Sequence, residues 1–395
     1  MLIAASRIVT ADGAAQRPSA VLAPGFVTIE DGKITAAGAG TPSGRPDVEL
    51  TDGFLLPGFI DLQVNGYFGV EFATAGADGW ATVASRLPET GTTAFLPTFI
   101  TSPLDDLLAS LRRTAELLSG SGRPQRAGQA QVLGVHLEGP FISGSRLGAH
   151  NPAWIASPDP AAIDALLEVG SGLVKLVTLA PELDGGMAAI RQLTAAGVLV
   201  SVGHSDATAQ QVSTAAMCGA RMVTHLFNAQ RPLHHREPGV VGQALSDTRL
   251  VSSLIADLHH VSGQVAAIAF TAAPGRICLV TDAAACAGMP PGQYFLGNEP
   301  IELAEGDGTP PVRADGMFAG SALRMDSAVA NMVAVGVGLA DSVAAATRIP
   351  ADLLGRSDLG RIAPGAAADL TWLSDDLRAR ATWIGGRQVY GPHLP

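Results

Sequence analysis

Residues 173–204 read LVKLVTLAPELDGGMAAIRQLTAAGVLVSVGH, and this stretch decides the fold. LVKLVTLA (173–180) and VLVSVGH (198–204) are short apolar runs without the alternation of a half-exposed strand, and Gly185 to Ala195 between them is helix-like. Two strands buried on both faces, joined through a helix, make the unit of a parallel sheet. Outward from here, similar runs recur at GFIDLQV (58–64), TTAFLPTF (92–99), QVLGVHLE (131–138), RMVTHLF (221–227), LVSSLIAD (250–257) and ICLVTD (277–282). That makes eight, the number a (β/α)8 TIM barrel requires. Further helices are expected over Asp78 to Glu89, Pro103 to Leu118, Pro160 to Glu168 and Asp206 to Cys218, with Ser205 as N-cap of the last.

Both ends of the chain read differently. LIAASRIVT (2–10) and FVTIEDGKITAAG (26–38) alternate, with a hairpin signal at Asp31-Gly32, and ADLTWL (368–373) and TWIGGRQVY (382–390) repeat the pattern around Gly385-Gly386. The expected architecture is therefore an α/β chain. Its barrel spans 57–358, and a small discontinuous β-sandwich domain is built from both termini, 1–56 and 359–395. Residues 286–320, rich in Gly, Pro and acids, read as an inserted hairpin or a lid.

Among 395 residues, 47% are hydrophobic and 15% charged, which excludes disorder and predicts a large aliphatic core. The net charge of −11 argues against nucleic acid or an anionic membrane as partner, and the two lysines, Lys33 and Lys175, form no basic block. Cys218, Cys278 and Cys286 lack metal-finger spacing and are read as reduced. Met1 to Ala5 is too short for a signal-peptide core and no apolar run reaches membrane-spanning length, so the expected compartment is the cytoplasm.

In such barrels the reactive groups project from the C-terminal ends of the strands. The polar residues there are Gln63, Asn65, Thr98, Glu138, Glu182, His204, His225, Asp257 and Asp282. Taken singly, Glu138 reads best as a solvated loop acid and either histidine as a hydrogen-bonded core residue. Together, one carboxylate and two imidazoles at one barrel mouth form the N/O ligand set of a catalytic divalent site. Asp282 is either an N-cap or a general base beside a metal-bound water. His136 shares a strand face with Glu138, as a structural residue or a ligand. After the sixth run, His234, His235 and Glu237 read as a solvated loop, with Arg236 as a phosphate donor. Of His259 and His260, at most one is expected to face the pocket.

The blocks PGFIDLQVNG, HLEGPF, GAHNP, VTLAPE, VGHSDAT, THLFNAQ, REPG, IADLHH, LVTDA and AGSALRMD, followed by GRIAPGAAADL, run in order across nearly the whole chain. In them the chain resembles the amidohydrolase superfamily, and within it the branch that deacetylates amino-sugar phosphates. The resemblance implies hydrolysis of the acetamide of N-acetyl-D-glucosamine 6-phosphate to D-glucosamine 6-phosphate and acetate, in amino-sugar catabolism and cell-wall sugar recycling. It implies one divalent metal per subunit on Glu138, His204 and His225, Zn²⁺ first, with Fe²⁺, Co²⁺ or Mn²⁺ also suited. Asp282 would act as base and then acid, and His150 would polarise the carbonyl. Ala149, Asn228, the Ala229 backbone, Arg236 and His260 would hold the sugar phosphate. A homodimer is also implied, with Arg236 near the neighbouring site. The chain departs from the superfamily's His-x-His at the first strand, where Gln63 and Asn65 stand. Neutral amides argue against a second ion and leave Gln63 to contact the first weakly or through water.

Overall fold

The computed structural model describes residues 1–11, 21–119, 128–306 and 308–392. Each of the eight runs contains a parallel strand: β1 Phe59–Val64, β2 Thr92–Ile100, β3 Val135–Glu138, β4 Val174–Leu179, β5 Leu199–Val202, β6 Met222–Val223, β7 Val251–Ile255 and β8 Ile277–Val280. Neighbours pair in sequence order from β1 to β8. The ring closes where the Asp282 N–H donates to the Gln63 carbonyl (2.9 Å) and Val64 bridges Ala283. Nearly all strand residues are buried, because opposing strands cover the inner face and helices the outer.

The helices around the barrel include α1 Ala77–Arg86, α2 Leu104–Ser119, α3 Pro160–Val169, α4 Gly186–Ala195, α5 Ala209–Cys218, α6 Gly239–Ser246, α7 Gly263–Ala272 and α8 Met325–Ala334. Three expectations are corrected. The helix expected to reach Glu89 ends at Arg86 and tightens into a 3₁₀ turn, Leu87–Thr90, around Pro88, whose ring cannot continue the ladder. The α5 N-cap is Thr208, which forms a reciprocal capping box with Gln211, while the Ser205 hydroxyl donates to Glu182 Oε2 (2.6 Å). The QVLGVHLE run breaks at Gly134, where a Cβ would stand 2.2 Å from Lys175 Cγ, so only Val135–Glu138 continues as β3.

Two further sheets make the small β-domain. One is Lys33–Ala39, Gly25–Glu30, Leu2–Ala5 and Val48–Leu50, and the other orders Arg387–Tyr390, Ala379–Ile384, Leu370–Leu373, Phe54–Pro57, Ile8–Val9 and Val21–Leu22. They share a core in which Ile3, Val27 and Ile34 from one end pack with Ile362, Trp372 and Trp383 from the other. The domain is thus discontinuous, because the C-terminal strands complete the second sheet by pairing with Phe54–Pro57 of the N-terminal end. Within residues 286–320, apart from position 307, which lies outside the described residues, Gly292–Leu296, Glu299–Leu303 and Val312–Arg313 form a three-stranded antiparallel sheet against the barrel mouth.

Candidate active site

Strand geometry gathers the polar ends. His204, His225 and Asp282 follow β5, β6 and β8 and all lie at positive φ (46°, 31° and 52°), a backbone region that non-glycine residues avoid. Conformations of this kind cost of order 1–3 kcal/mol each and persist where the surroundings hold them, as at reactive sites. Here they turn three side chains to the barrel axis. Glu138 ends β3, and Gly139 behind it has φ 85° and sits where a Cβ would lie 2.1 Å from Thr101 Oγ1.

The result is a buried cluster. His225 Nε2 lies 2.9 Å and His204 Nε2 3.3 Å from Glu138 Oε1, and the two Nε2 atoms are 3.0 Å apart. Ligand atoms in a tetrahedral zinc site stand about 3.3 Å from one another, so the set fits a small divalent cation. The His204 Nδ1–H donates to the Arg146 carbonyl (3.0 Å), which leaves the Nε2 lone pair facing the cluster. Burial works to raise the Glu138 carboxyl, but the His204 and His225 rings set against it outweigh burial and hold the group well below the carboxylate range. Burial likewise opposes charge on His225, and the Glu138 carboxylate reverses that and raises it. Two imidazoles crowding one carboxylate are what a cation between them would relieve.

Asp282 faces this set. Asn65 Nδ2 (2.7 Å) and Gln63 Nε2 (3.1 Å) both donate to its Oδ1. Burial, then the nearby Glu138 charge, pushes the Asp282 carboxyl up to about 7. Gln63 also donates to Glu138 Oε1 (2.9 Å), so it meets the cluster with its NH₂ and not its carbonyl. His150 Nδ1 accepts from the Thr101 N–H (3.4 Å) and contacts its hydroxyl (2.7 Å), which places the ring proton on Nε2, 3.9 Å from Glu138 Oε2. Burial, then neighbouring His204, depresses His150 to about 3, so the ring is neutral at pH 7.

On the far side His260 Nδ1 lies 2.6 Å from Asp257 Oδ2, which turns Nε2 outward, while His259 is exposed. Burial pushes the Asp257 carboxyl up, but His260 outweighs it and the group is lowered. Glu138, His150, His204, His225 and Asp282 share with Asn228, Ala229 and His260 a cavity of about 740 Å³, open solvent at its mouth included. Ala149 lines it as well. Leu296 and Phe318 from the inserted sheet form part of its wall.

Other expected residues take structural places. His136 bridges Thr98 (3.2 Å) and Thr178 (2.8 Å) beneath the cluster and is neutral, burial lowering it to about 4. Glu182 accepts from Ser205 and from the Asp206 N–H (2.5 Å). Arg236 sits on an exposed turn after β6 and is not among the residues lining its own chain's cavity. Asp61, Thr101, Arg146 and Asp206 were missed. Asp206 accepts from Arg146 (2.7 and 2.8 Å) and Arg231 (2.7 Å), tying three loops at the mouth together. Asp61 offered a signal, being a charge inside an otherwise apolar run, and it accepts from the Thr281 hydroxyl (2.6 Å) between β1 and β8.

A carboxylate and two imidazoles at the C-terminal mouth of a parallel barrel, faced by a β8 carboxylate, define a hydrolase that works with a divalent metal. The chain belongs to the amidohydrolase family, whose model matches residues 54–389, and within it to the N-acetylglucosamine-6-phosphate deacetylases. The Bos taurus N-acetylglucosamine-6-phosphate deacetylase is 42% identical over 85% of this chain and 83% of its own. An N-acetylgalactosamine-6-phosphate deacetylase of Escherichia coli O157:H7 is 39% identical over 86% and 88%. A Mycobacterium smegmatis N-acetyl-D-glucosamine-6-phosphate deacetylase mutant, solved with N-acetyl-D-glucosamine-6-phosphate, superposes with a TM-score of 0.90 at 34% identity, covering 98% and 99% of the two chains.

Proposed function

We propose that the chain hydrolyses the acetamide of N-acetyl-D-glucosamine 6-phosphate, releasing D-glucosamine 6-phosphate and acetate. The observation that carries this is the convergence of Glu138, His204 and His225 on one point with Asp282 facing them. A divalent ion held by those three, Zn²⁺ first, would polarise the acetamide carbonyl and acidify a water. Asp282 takes the proton of the attacking water and returns it to the departing amine nitrogen. Its Oδ1 is anchored by Asn65 and Gln63, so Oδ2 makes the transfer. The neutral His150 donates its Nε2–H to the carbonyl oxygen as charge develops there. Ala149, Asn228, the Ala229 backbone and His260 hold the sugar phosphate, and Asp257 orients the His260 ring.

Arg236, exposed on its own chain, completes the phosphate site of a neighbouring subunit in a homodimer. The three unpaired cysteines support a reducing, cytoplasmic setting. Free-amine release from N-acetylglucosamine 6-phosphate, its galactosamine epimer and unphosphorylated N-acetylglucosamine, with metal-loaded and chelated protein, tests the assignment. Metal-dependent turnover is expected to favour the phosphorylated gluco substrate. Preference for the epimer would reassign the sugar, and no turnover of any with metal bound would sink the proposal in favour of a cyclic-amide substrate. For the dimer, mixing Arg236→Ala chains with Asp282→Asn chains should restore activity that neither has alone.

A further inference from the structure

The cavity has two unlike sides. Asn228, the Ala229 backbone and His260 bring polar groups to the side after β6 and β7, beside Ile255 and Phe318, whereas the side after β2 presents the aliphatic Ile100 and Leu296. Ile100 ends β2 in register with Glu138 on β3, so the two side chains lie on the same barrel face. Leu296, 4% exposed, ends the first strand of the inserted sheet, and Ile100 and Ala149 pack against the apolar cluster it belongs to. The turn beyond it is held in place, since the Gly297 N–H donates to Glu71 Oε1 (2.7 Å) and Gly297 lies close enough to Ile100 that a Cβ there would stand 3.3 Å from Ile100 Cδ1. The apolar wall is therefore tied to the barrel at two points and adjoins the carboxylate of the reacting centre.

We propose that Ile100 and Leu296 form the acyl wall of the site, against which the acetyl methyl group packs, and that they set which N-acyl group is accepted. The proposal rests on the deacetylase assignment above. The amide is planar. With its carbonyl oxygen turned to the His150 Nε2–H and to the ion that Glu138, His204 and His225 would hold, and the nitrogen carrying the sugar toward His260, the third substituent of the carbonyl carbon leaves on the side opposite the nitrogen. That side is the Ile100 and Leu296 wall. An acetyl group puts one methyl there, and a longer acyl chain meets a buried leucine held by an anchored turn.

The test compares kcat/KM for N-formyl-, N-acetyl- and N-propanoylglucosamine 6-phosphate on metal-loaded protein. Wild type should prefer acetyl over propanoyl. Ile100→Ala and Leu296→Ala should each raise the propanoyl-to-acetyl ratio about tenfold or more, the discrimination one methylene commands in a hydrophobic pocket. Ile100→Phe, which narrows the wall, should raise the formyl-to-acetyl ratio by a similar factor and gives the opposite sign if an alanine variant folds poorly. Ratios that stay within twofold of wild type in all three variants, with acetyl hydrolysis and metal content retained, would overturn the wall assignment and leave the deacetylase reading standing. Failure of metal-loaded wild type to hydrolyse the N-acetyl compound would instead overturn that reading, and the wall with it.

Discussion

Replacing Asp282 by Asn removes one charge and almost nothing else. Both donors that hold the side chain, Asn65 Nδ2 and Gln63 Nε2, address the same oxygen, Oδ1. An asparagine keeps a carbonyl oxygen at that place and turns its NH₂ to where Oδ2 was, so the fold and the three-residue metal set stay intact. What is lost is the base. General acid–base groups contribute about 10²–10⁴-fold, or roughly 2.7–5.5 kcal/mol at about 1.36 kcal/mol per decade. We expect Asp282→Asn to lower kcat/KM for N-acetylglucosamine 6-phosphate by that factor at unchanged metal content, measured by amine release and elemental analysis of the same sample. The pH profile adds a second readout. A base works deprotonated, so wild-type activity rises with pH through the carboxyl's titration. That group is pushed up to about 7 in the metal-free protein, and a bound cation moves it down. The variant should lose this rising limb. Activity within tenfold of wild type, with the limb retained, would refute the role given to Asp282.

Four other outcomes follow from the same contacts. His225→Ala should abolish stoichiometric metal binding and, with it, metal-dependent turnover, because one of three ligands that meet within 3.3 Å is gone; equilibrium dialysis checks it. Asp61 is raised by burial from 3.8 to about 7, so the folded state holds a proton that the unfolded chain gives up; this group's contribution to stability is fully present below about pH 4 and is lost as pH rises through 7, by roughly 4 kcal/mol at about 1.36 kcal/mol per unit. Urea unfolding of metal-free Asp61→Asn at pH 5 and pH 8 should show that slope diminished. Thr208→Ala removes the capping box of α5 and should cost about 1 kcal/mol of unfolding free energy without changing kcat. Gly139→Ala places a Cβ 2.1 Å from Thr101 Oγ1 at a φ of 85°, next to Glu138, and should lower metal affinity more than stability, as read by metal titration and denaturant midpoint.

Much of this was legible in the sequence, because a strand buried on both faces must be continuously apolar and its exit into the barrel mouth must be polar. The eight runs, the two hairpin signals at Asp31-Gly32 and Gly385-Gly386, and the residues Glu138, His204, His225 and Asp282 were all readable in this way. The same local logic failed where the sequence carries little periodicity. Helices α6, α7 and α8 carry apolar residues around most of their circumference and show little of the stripe that marks an amphipathic helix.

Only the tertiary structure decided which strand ends converge. Glu138 meets His204 and His225 across 66 and 87 residues of chain, and Asn65 meets Asp282 across 217. Those meetings exist because the ring closes β1 onto β8, an event with no local trace. Closure likewise turned His136 and Glu182 from candidate ligands into supports and made the inserted sheet a wall of the cavity. It also left Arg236 exposed and outside the lining of its own chain's cavity. Residue type and spacing determined what chemistry was on offer. Where each group points depended on distances between strands that the linear order does not contain.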